Sequence, residues 1–381
     1  MLKLVPFAAA AALVLAPPAG ARGLGIDVVA TGLDNPRHVA VGKRDAVYVA
    51  ESGRGGDHAT ATSCFDSAEG PSCTGATGAV TRVDRHGQER IVTGLASFAP
   101  EGGGNAIGPH GIFVRRNKVY VTNGGPTAPL RGDPPDVVLR DPTLVAEDPV
   151  SSLYGKLLRI HRHGDVEEIA DLWAFERDNN PDAELGNPLV DSNAVDVLAL
   201  GRRFLVTDAG GNSLLEVTRD GEVRVVHLFP NVDTPGPGGA VIPMQAVPTG
   251  VVKGPDGAYY VSQLTGFPFP VGGASVFRVD PHTGEATTYA TGFTNIIDLD
   301  FDDEGTLHVL VHDSDSLLGV GRDGAIWRVQ WGGGTPQQLE LPAGTLIEPG
   351  GIAVEDEDEL YVSNHSREAG AGEVLRIELD H

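Results

Sequence analysis

The fold is decided by the stretch Thr249–Gln263, TGVVKGPDGAYYVSQ, in which a short apolar strand leads through a tight turn into a second strand. The turn, GPDG at Gly254–Gly257, consists of the residue types that β-turns prefer. The flanking runs are rich in Val and Tyr, which favour strands. The stretch therefore predicts a β-hairpin, and the same pattern recurs along the chain.

Five further segments follow this plan, so the chain contains six repeats. Each repeat continues into a third apolar strand, and most turn again into a fourth. The six first strands begin at His38, His110, Asp196, Thr249, Asp298 and Gly350. A unit of four antiparallel strands cannot bury both of its faces alone, so such units stack radially. The repeats predict an all-β fold, a six-bladed β-propeller of four-stranded antiparallel blades.

The two ends of the chain predict how the ring closes. The last repeat ends near the C-terminus without a fourth strand, whereas a spare strand, Ile26–Ala30, precedes the first repeat. We expect this spare strand to complete the last blade. The predicted propeller covers residues 22–381, with blades at about 31–92, 93–170, 171–229, 230–290, 291–340 and 341–380 plus 26–30.

The first 21 residues have the layout of a secretory signal. Lys3 precedes an apolar run, Leu4–Ala16, and small residues lead to a cleavage site after Ala21. The run is shorter than the ~20 apolar residues of a membrane helix, and no later run approaches that length. We therefore expect a secreted, extracellular or envelope protein without a membrane span; a membrane anchor is the alternative.

The two cysteines indicate the compartment of the protein, and its net charge restricts the class of partner. Cys64 and Cys73 lie in a segment rich in Gly, Ser and Thr, and an exported chain meets an oxidising compartment, so we expect one disulfide. The formal net charge of −24 argues against nucleic acid as a partner. It favours cationic or neutral ligands, although a well-solvated exported surface explains it equally well.

The first strands of a propeller all run the same way along the central channel, so their starting residues should form a ring. Imidazole and carboxylate groups there are ligands for a divalent cation, and either histidine is a candidate catalytic acid or base. An acidic ring would raise the pKa of such a histidine. The ordinary alternative is that these side chains bind backbone groups of the next blade. The candidates are His38, His110, Asp196 and Asp298.

A second set of polar residues ends the second strands, which run antiparallel to the first and return to the same face. These candidate ligand-binding residues are Glu51, Asn123, Asp208, Gln263 and Asn364; the fifth repeat instead has Val311, followed by His312 and Asp313. The long connections open on this face too, at 52–78, 124–154, 173–193 and 231–247. We call it the long-loop face and expect it to be the working surface. The opposite end, with short turns, is the tight-turn face.

Several of these motifs resemble the ScyD/ScyE family of exported bacterial propellers, named for proteins of the scytonemin sunscreen pathway. The most specific are VPTG at 247–250, GPDG at 254–257 and VSQLTGFPFP at 261–270. Further support comes from 179–182, 191–193, 207–212 and the cysteine pair ahead of GATG at 75–78. The chain departs from the family pattern at Ala194-Val195, where Pro-Tyr is usual. The resemblance implies export and a propeller, and it supplies no agreed reaction.

More distantly, the chain is similar to gluconolactonase-like and streptogramin-lyase-like six-bladed propellers. These use a metal in the central channel, and the lactonases favour a carboxylate and asparagines as its ligands. His38 and His110 do not reproduce that set. The similarity therefore implies a channel site and leaves a lactonase activity doubtful.

Three functional hypotheses follow. The first is an exported binding or accessory protein that holds a small molecule, polysaccharide or protein partner through its long-loop face and central channel. The second is a hydrolase or lyase with one divalent cation in the channel. The third is a structural envelope protein that assembles through acidic loops.

Overall fold

The computed structural model describes residues 24–61, 63–67, 70–116, 118–125 and 149–379. The predicted signal segment, 1–21, and most of the insert at 124–154 lie outside these residues. Six antiparallel sheets form the blades, and the inner strands of neighbouring blades lie side by side around a central channel. The predicted six-bladed β-propeller is therefore confirmed. Within the described ranges, no helix has the length and apolar character needed to cross a membrane.

Blades 1 to 3 each run from an inner to an outer strand in chain order. Blade 1 contains Pro36–Val41, Val47–Glu51, Gly70–Asp84 and Gly87–Pro100, with Cys64–Ser67 added beside the third strand. Blade 2 contains Pro109–Arg115, Lys118–Asn123, Lys156–Ile160 and Val166–Asp171. Blade 3 contains Ala194–Leu200, Arg203–Asp208, Ser213–Thr218 and Val223–Leu228.

Blades 4 to 6 repeat the arrangement. Blade 4 contains Pro248–Lys253, Tyr259–Gln263, Ala274–Val279 and Ala286–Phe293. Blade 5 contains Ile296–Phe301, Leu307–Val311, Ala325–Val329 and the short strand Gln337–Gln338. Blade 6 contains Gly351–Val354, Glu359–Asn364 and Ala369–Glu378, and its fourth strand is the N-terminal Gly25–Asp34.

The N-terminal strand closes the ring as expected. It pairs antiparallel with Ala369–Glu378 and so joins the two ends of the chain in one blade. Its residues Ala30 and Leu33 are buried in a cluster with Val47 and Val49 of blade 1 and Val374 of blade 6. The strand therefore completes blade 6 and also fills the gap between the last and first blades with apolar side chains, which favours the closed ring.

The long connections contain local structure of their own. Cys64 and Cys73 form the expected disulfide, which joins the strand Cys64–Ser67 to the beginning of the third strand of blade 1. A helix, Leu172–Asn179, begins at Asp171, whose carboxylate accepts a hydrogen bond from the Ala174 amide. The remaining elements are the 3₁₀ turns Pro149–Leu153, Pro181–Leu185 and Pro237–Gly239 and the hairpin of Val232–Pro235 with Val241–Met244.

Candidate functional site in the central channel

The inner strands of blades 1 to 5 share an irregularity near their starts. In each, the regular pairing with the second strand shifts by one or more residues, as between Ala194 and Asp196. In blade 3 the Thr207 hydroxyl replaces a backbone acceptor and accepts a hydrogen bond from the Asp196 amide at 3.0 Å. Ser262 does the same for Gly250 in blade 4, at 2.6 Å. Such bulges redirect the side chain that follows.

The residue at the bulge in blades 1 to 5, and at the equivalent position of blade 6, alternates around the ring between a polar side chain and glycine. The six positions that precede the first regularly paired core residue are His38, Gly111, Asp196, Gly250, Asp298 and Gly351. The glycines permit close approach, because a Cβ on Gly250 would lie 2.7 Å from Asp298 Oδ1 and one on Gly351 would lie 2.4 Å from His38 Cα. Blades 2, 4 and 6 thus make room for the polar side chains of blades 1, 3 and 5.

This alternation brings three of the four predicted metal candidates together. His38 Nδ1 lies 3.1 Å from Asp196 Oδ1 and 3.9 Å from Asp298 Oδ2. All three side chains are buried, and each offers a ligand atom within 4.8 Å of the others. His110 lies one residue before the bulge position, and its ring centroid is 5.5 Å from that of His38. The fourth candidate therefore stands beside the cluster.

The two carboxylates also bind the backbone of neighbouring blades. Asp196 accepts hydrogen bonds from its own neighbour Val197 and from Val251 of blade 4, at 2.7 and 2.8 Å. Asp298 accepts from Leu299 at 2.8 Å and from Ile352 of blade 6 at 2.9 Å. Asp196 and Asp298 thus both bind backbone donors of the next blade, which is the ordinary alternative to ligand binding. The carboxylates are consequently held in place without any ligand.

The charged groups of this cluster shift one another's pKa values. Burial opposes protonation of His38, but the charges of Asp298 and Asp196 outweigh it and raise the pKa of the imidazole to about 9. Burial raises the pKa of Asp298 to about 7, against the attraction of His38. The expectation that an acidic ring raises the pKa of a channel histidine therefore holds for His38. At neutral pH this residue is an imidazolium.

His110 has the opposite electrostatics. Burial lowers the pKa of His110 well below its usual range, and the positive charges of Arg37 and His38 act in the same direction. The expected rise therefore does not occur at this residue, because none of the carboxylates that the structure describes pairs with it as Asp196 pairs with His38. The buried Nε2 atoms of His38 and His110 both lack a hydrogen-bond partner among the described residues. Buried nitrogen atoms of this kind usually bind a ligand or an ordered water.

A cavity of about 320 Å³ extends from this cluster along the channel. His38, Asp196 and Asp298 form its floor, and Val, Ile, Leu and Phe side chains of the inner strands form most of its wall. It continues to the strand ends at the tight-turn face, where it includes Lys253 and Asp300. This cavity thus lies on the tight-turn side of the cluster, whereas loop lengths predict the long-loop face as the working surface.

Asp300 and Lys253 are channel residues that the sequence analysis did not single out. Asp300 lies two positions after Asp298, so both side chains point to the same side of the strand. Its carboxylate accepts hydrogen bonds from Phe301 and from Val354 of blade 6, at 2.9 Å each, and burial raises its pKa to about 7. The alternation Asp298-Leu299-Asp300 would have identified it. No comparable pattern in the sequence identifies Lys253 as a channel residue.

The polar ends of the second strands are all buried and hold the long-loop face together. Glu51 accepts hydrogen bonds from Arg90 and the Asp34 amide, and Asn123 donates to the Ala96 carbonyl. Asp208 accepts from Ser192 and from the amides of 193, 210 and 211. Asn364 accepts from Ile347, while Gln263 and, in blade 5, His312 and Asp313 are buried as well. Ligand binding by these residues stays a prediction.

A buried carboxyl group beside Asp208 is a further feature that the sequence did not predict. Glu176, on the helix Leu172–Asn179, is 3% exposed. Burial and the nearby charges of Asp208, Asp182 and Asp191 raise the pKa of Glu176 to about 9. At neutral pH its side chain is therefore protonated and uncharged, which lowers the repulsion among the four acidic groups.

The architecture and the channel cluster define a class, the six-bladed β-propellers with a polar central site. No family model matches the sequence, and no curated protein matches it. A solved structure of a proposed gluconolactonase is 13% identical, covers 95% of this chain and 96% of its own, and gives a TM-score of 0.51. A proposed glucose dehydrogenase from Thermus thermophilus is 16% identical, with coverages of 93% and 100% and a TM-score of 0.51.

A third similar structure is virginiamycin B lyase from Staphylococcus aureus, which is 12% identical, with coverages of 94% and 100% and a TM-score of 0.49. The distant similarity to gluconolactonase-like propellers is thus found at the level of the fold. Identities this low carry no activity over to this chain.

Gly250→Ala is expected to destabilise the propeller. The added methyl group would lie 2.7 Å from Asp298 Oδ1 and 3.0 Å from Ser262 Oγ, so the inner strands of blades 4 and 5 would have to separate. Overpacking of this kind costs about 1–3 kcal/mol. Urea denaturation of wild type, Gly250→Ala and the control Gly104→Ala measures it. In the control only the Arg367 carbonyl, at 3.0 Å, lies near the new methyl group. Wild-type stability in Gly250→Ala would contradict the close packing at the ring.

His38 is expected to titrate near pH 9. Because the folded protein holds this proton more tightly than the unfolded chain, its contribution to stability is complete below about pH 6.5 and is lost as the pH rises through about 9. NMR titration of the imidazole measures the midpoint. Asp298→Asn should lower it, and Asp303→Asn, at an exposed turn of the same blade, should leave it unchanged. A wild-type midpoint at or below about 6.5 would disprove the ion-pair description.

Proposed function

We propose that this protein is an exported propeller of the ScyD/ScyE type that binds a small molecule in its central channel, as a binding or accessory protein. The observation that carries the proposal is the cavity of about 320 Å³ whose floor is the cluster of His38, Asp196 and Asp298. The family motifs and the disulfide, which suits an oxidising compartment, support export.

The chemistry of the cavity defines the class of ligand. Its volume is at the lower end of the range for small-molecule sites. Asp196 of blade 3 and Asp298 and Asp300 of blade 5 offer oxygen acceptors to the cavity, and each carboxylate has lone pairs beyond those used by backbone amides. The apolar wall suits the carbon skeleton of the ligand. We therefore expect a compact molecule with hydroxyl or ammonium donors, such as a polyol or an amino sugar.

The electrostatics of His38 argue against a role for this residue as a catalytic base. His38 carries its proton throughout the neutral range, so it offers no free base there. Asp196 and Asp298 are tied to the backbone of blades 4 and 6, so their positions are fixed before any ligand arrives. A rigid set of acceptors reduces the entropic cost of ligand binding.

Filling the cavity is the direct test of ligand binding. Leu198 lines the channel, so Leu198→Trp should occupy much of the ligand's space. Leu189, 62% exposed outside the channel, gives the matched control Leu189→Trp. A thermal-shift screen with polyols and amino sugars should raise the melting temperature of wild type and of the control, and leave Leu198→Trp unchanged. Equal shifts in all three proteins would place the binding elsewhere, and no shift in wild type with any compound would count against the proposal.

A second function, a divalent-metal-dependent hydrolase or lyase, is favoured by one observation. His38, Asp196 and Asp298 present one nitrogen and two carboxylate ligands within 4.8 Å, and the unpartnered Nε2 of His110 lies close by. A cation would have to displace the proton that His38 shares with Asp196, so its affinity should rise with pH. The metal would act there as a Lewis acid.

Elemental analysis decides between the two functions. The metal hypothesis expects one equivalent of a divalent cation in the purified protein, its loss in Asp298→Asn, and a lower melting temperature with chelator in wild type only. The control variant Asp303→Asn should keep its metal. Metal-free protein whose melting temperature is insensitive to both chelator and added Zn²⁺, Mn²⁺ or Ca²⁺ would reject the second function and leave the first intact.

A further inference from the structure

The tight-turn face carries opposite charges on its two sides. In blades 5 and 6 the turns between first and second strands are the acidic runs Asp302–Glu304 and Glu355–Asp358. In blades 1 and 2 the corresponding turns and their flanks hold the basic residues Lys43, Arg44, Arg115, Arg116 and Lys118, with Asp45 as their one acidic residue. Because the chain has 28 Lys and Arg residues against 52 Asp and Glu, this basic side locally reverses the overall charge of the protein.

Two pockets lie on this basic side, one on each face of blade 2. The larger, about 620 Å³, lies between blades 1 and 2; Lys43, Arg44 and Arg162 line it above a floor that includes Tyr48 and Val119. The smaller, about 180 Å³, lies between blades 2 and 3 and is lined by Arg115, Arg116, Lys118, Arg219 and Tyr120. Among the described residues, neither lining includes a carboxylate. Val119 and Tyr120 are consecutive in one strand, so a single sheet separates the pockets.

The basic side chains of these pockets are largely free to bind a ligand. In the described part of the chain, the ion pairs of the lining residues are those of Arg82 with Asp84 and of His161 with Glu167. Arg44, Arg115, Arg116 and Arg162 are exposed and take part in neither. Unpaired guanidinium groups bind carboxylate or phosphate through two parallel hydrogen bonds.

Two of these arginines occupy backbone positions that normally suit glycine. Arg44 has a φ of 60° and Arg116 a φ of 51°, and Asp45, with a φ of 58°, stands where Gly257 and Gly305 occupy the turns of blades 4 and 5. A side chain at such a position costs about 1 kcal/mol relative to glycine. In return, each turn carries a long cation at the edge of a pocket.

We propose that these two pockets form one binding groove for a carboxylated polysaccharide. We call it the basic groove and define it by Lys43, Arg44, Arg115, Arg116, Lys118 and Arg162. Its guanidinium groups bind the uronate carboxylates, and in the larger pocket the half-buried Tyr48 and Ile91 contact the face of a sugar ring. A linear chain that crosses the edge of blade 2 enters both pockets, which a monosaccharide cannot do.

The shape and the charge pattern favour a flexible chain over other polyanions. A flat anionic membrane would meet all six blade turns together, including the acidic runs of blades 5 and 6, which would repel it. A polysaccharide can follow the basic side alone. The disulfide suits an oxidising compartment outside the cytoplasm, where a glycan is a more accessible polyanion than a nucleic acid.

Polygalacturonate titrated calorimetrically into the full-length protein, at low and at physiological salt, tests the proposal. Two double variants reverse charge in one pocket each, Arg44→Glu with Arg162→Glu and Arg115→Glu with Arg116→Glu. Arg177→Glu with Arg328→Glu makes the same charge change away from both pockets. We expect wild type and the control to bind alike, and each pocket variant to bind at least about tenfold more weakly. The altered positions in the pockets are exposed, so melting temperatures should stay near wild type.

Chain length and competing polyanions complete the test. Galacturonate monomer should bind far more weakly than the polymer, and methyl-esterified polygalacturonate should not bind. Equal weakening in the control variant, or a monomer that binds as tightly as the polymer, would overturn the proposal. So would equally tight binding of a thymidine oligonucleotide or of phosphatidylglycerol vesicles. Leu198→Trp should bind polygalacturonate normally, which separates this groove from the channel site.

Discussion

The propeller depends on side-chain hydrogen bonds that tie each blade to the inner strand of a neighbouring one. Without them the backbone groups freed by the bulges would be buried and unpaired, which is costly. A side chain reaches a carbonyl across every one of the six junctions. The bonds run from Ser52 to Pro109, Thr122 to Val195, Thr207 to Thr249, Thr249 to Ile296, His312 to Pro349 and Ser363 to Arg37.

The same constraint produces the channel cluster. Close approach of the inner strands requires glycine in blades 2, 4 and 6, and this leaves the space in which His38, Asp196 and Asp298 meet. An imidazolium between two carboxylates balances part of the buried charge, and the backbone amides of blades 4 and 6 bind the rest of the carboxylate oxygens. The polar floor therefore has a structural role whether or not a ligand binds. Small-molecule binding and metal binding at this floor can consequently be tested separately.

The net charge of the protein and the local charge of the basic groove favour different classes of partner. A net charge of −24 favours cationic or neutral ligands, and the acceptor-rich channel agrees with that expectation. The basic groove favours anionic ligands instead. Its arginines come from turns that are far apart in the chain, and they meet only because blade 2 stands between blades 1 and 3. One acidic protein can thus present surfaces of opposite preference, one in the channel and one at the edge of the tight-turn face.

The six blades, the closing strand and the disulfide could be predicted from the amino-acid sequence, because strand alternation, turn residues and the cysteine pair are local signals. The sequence also identified His38, Asp196 and Asp298, since strand starts share one end of the channel. Only the tertiary structure decided that His110 lies one residue outside this cluster and that the cavity extends toward the tight-turn face. A bulge shifts the register without changing any residue type, and a cavity or a charged groove depends on which distant side chains the closed ring brings together.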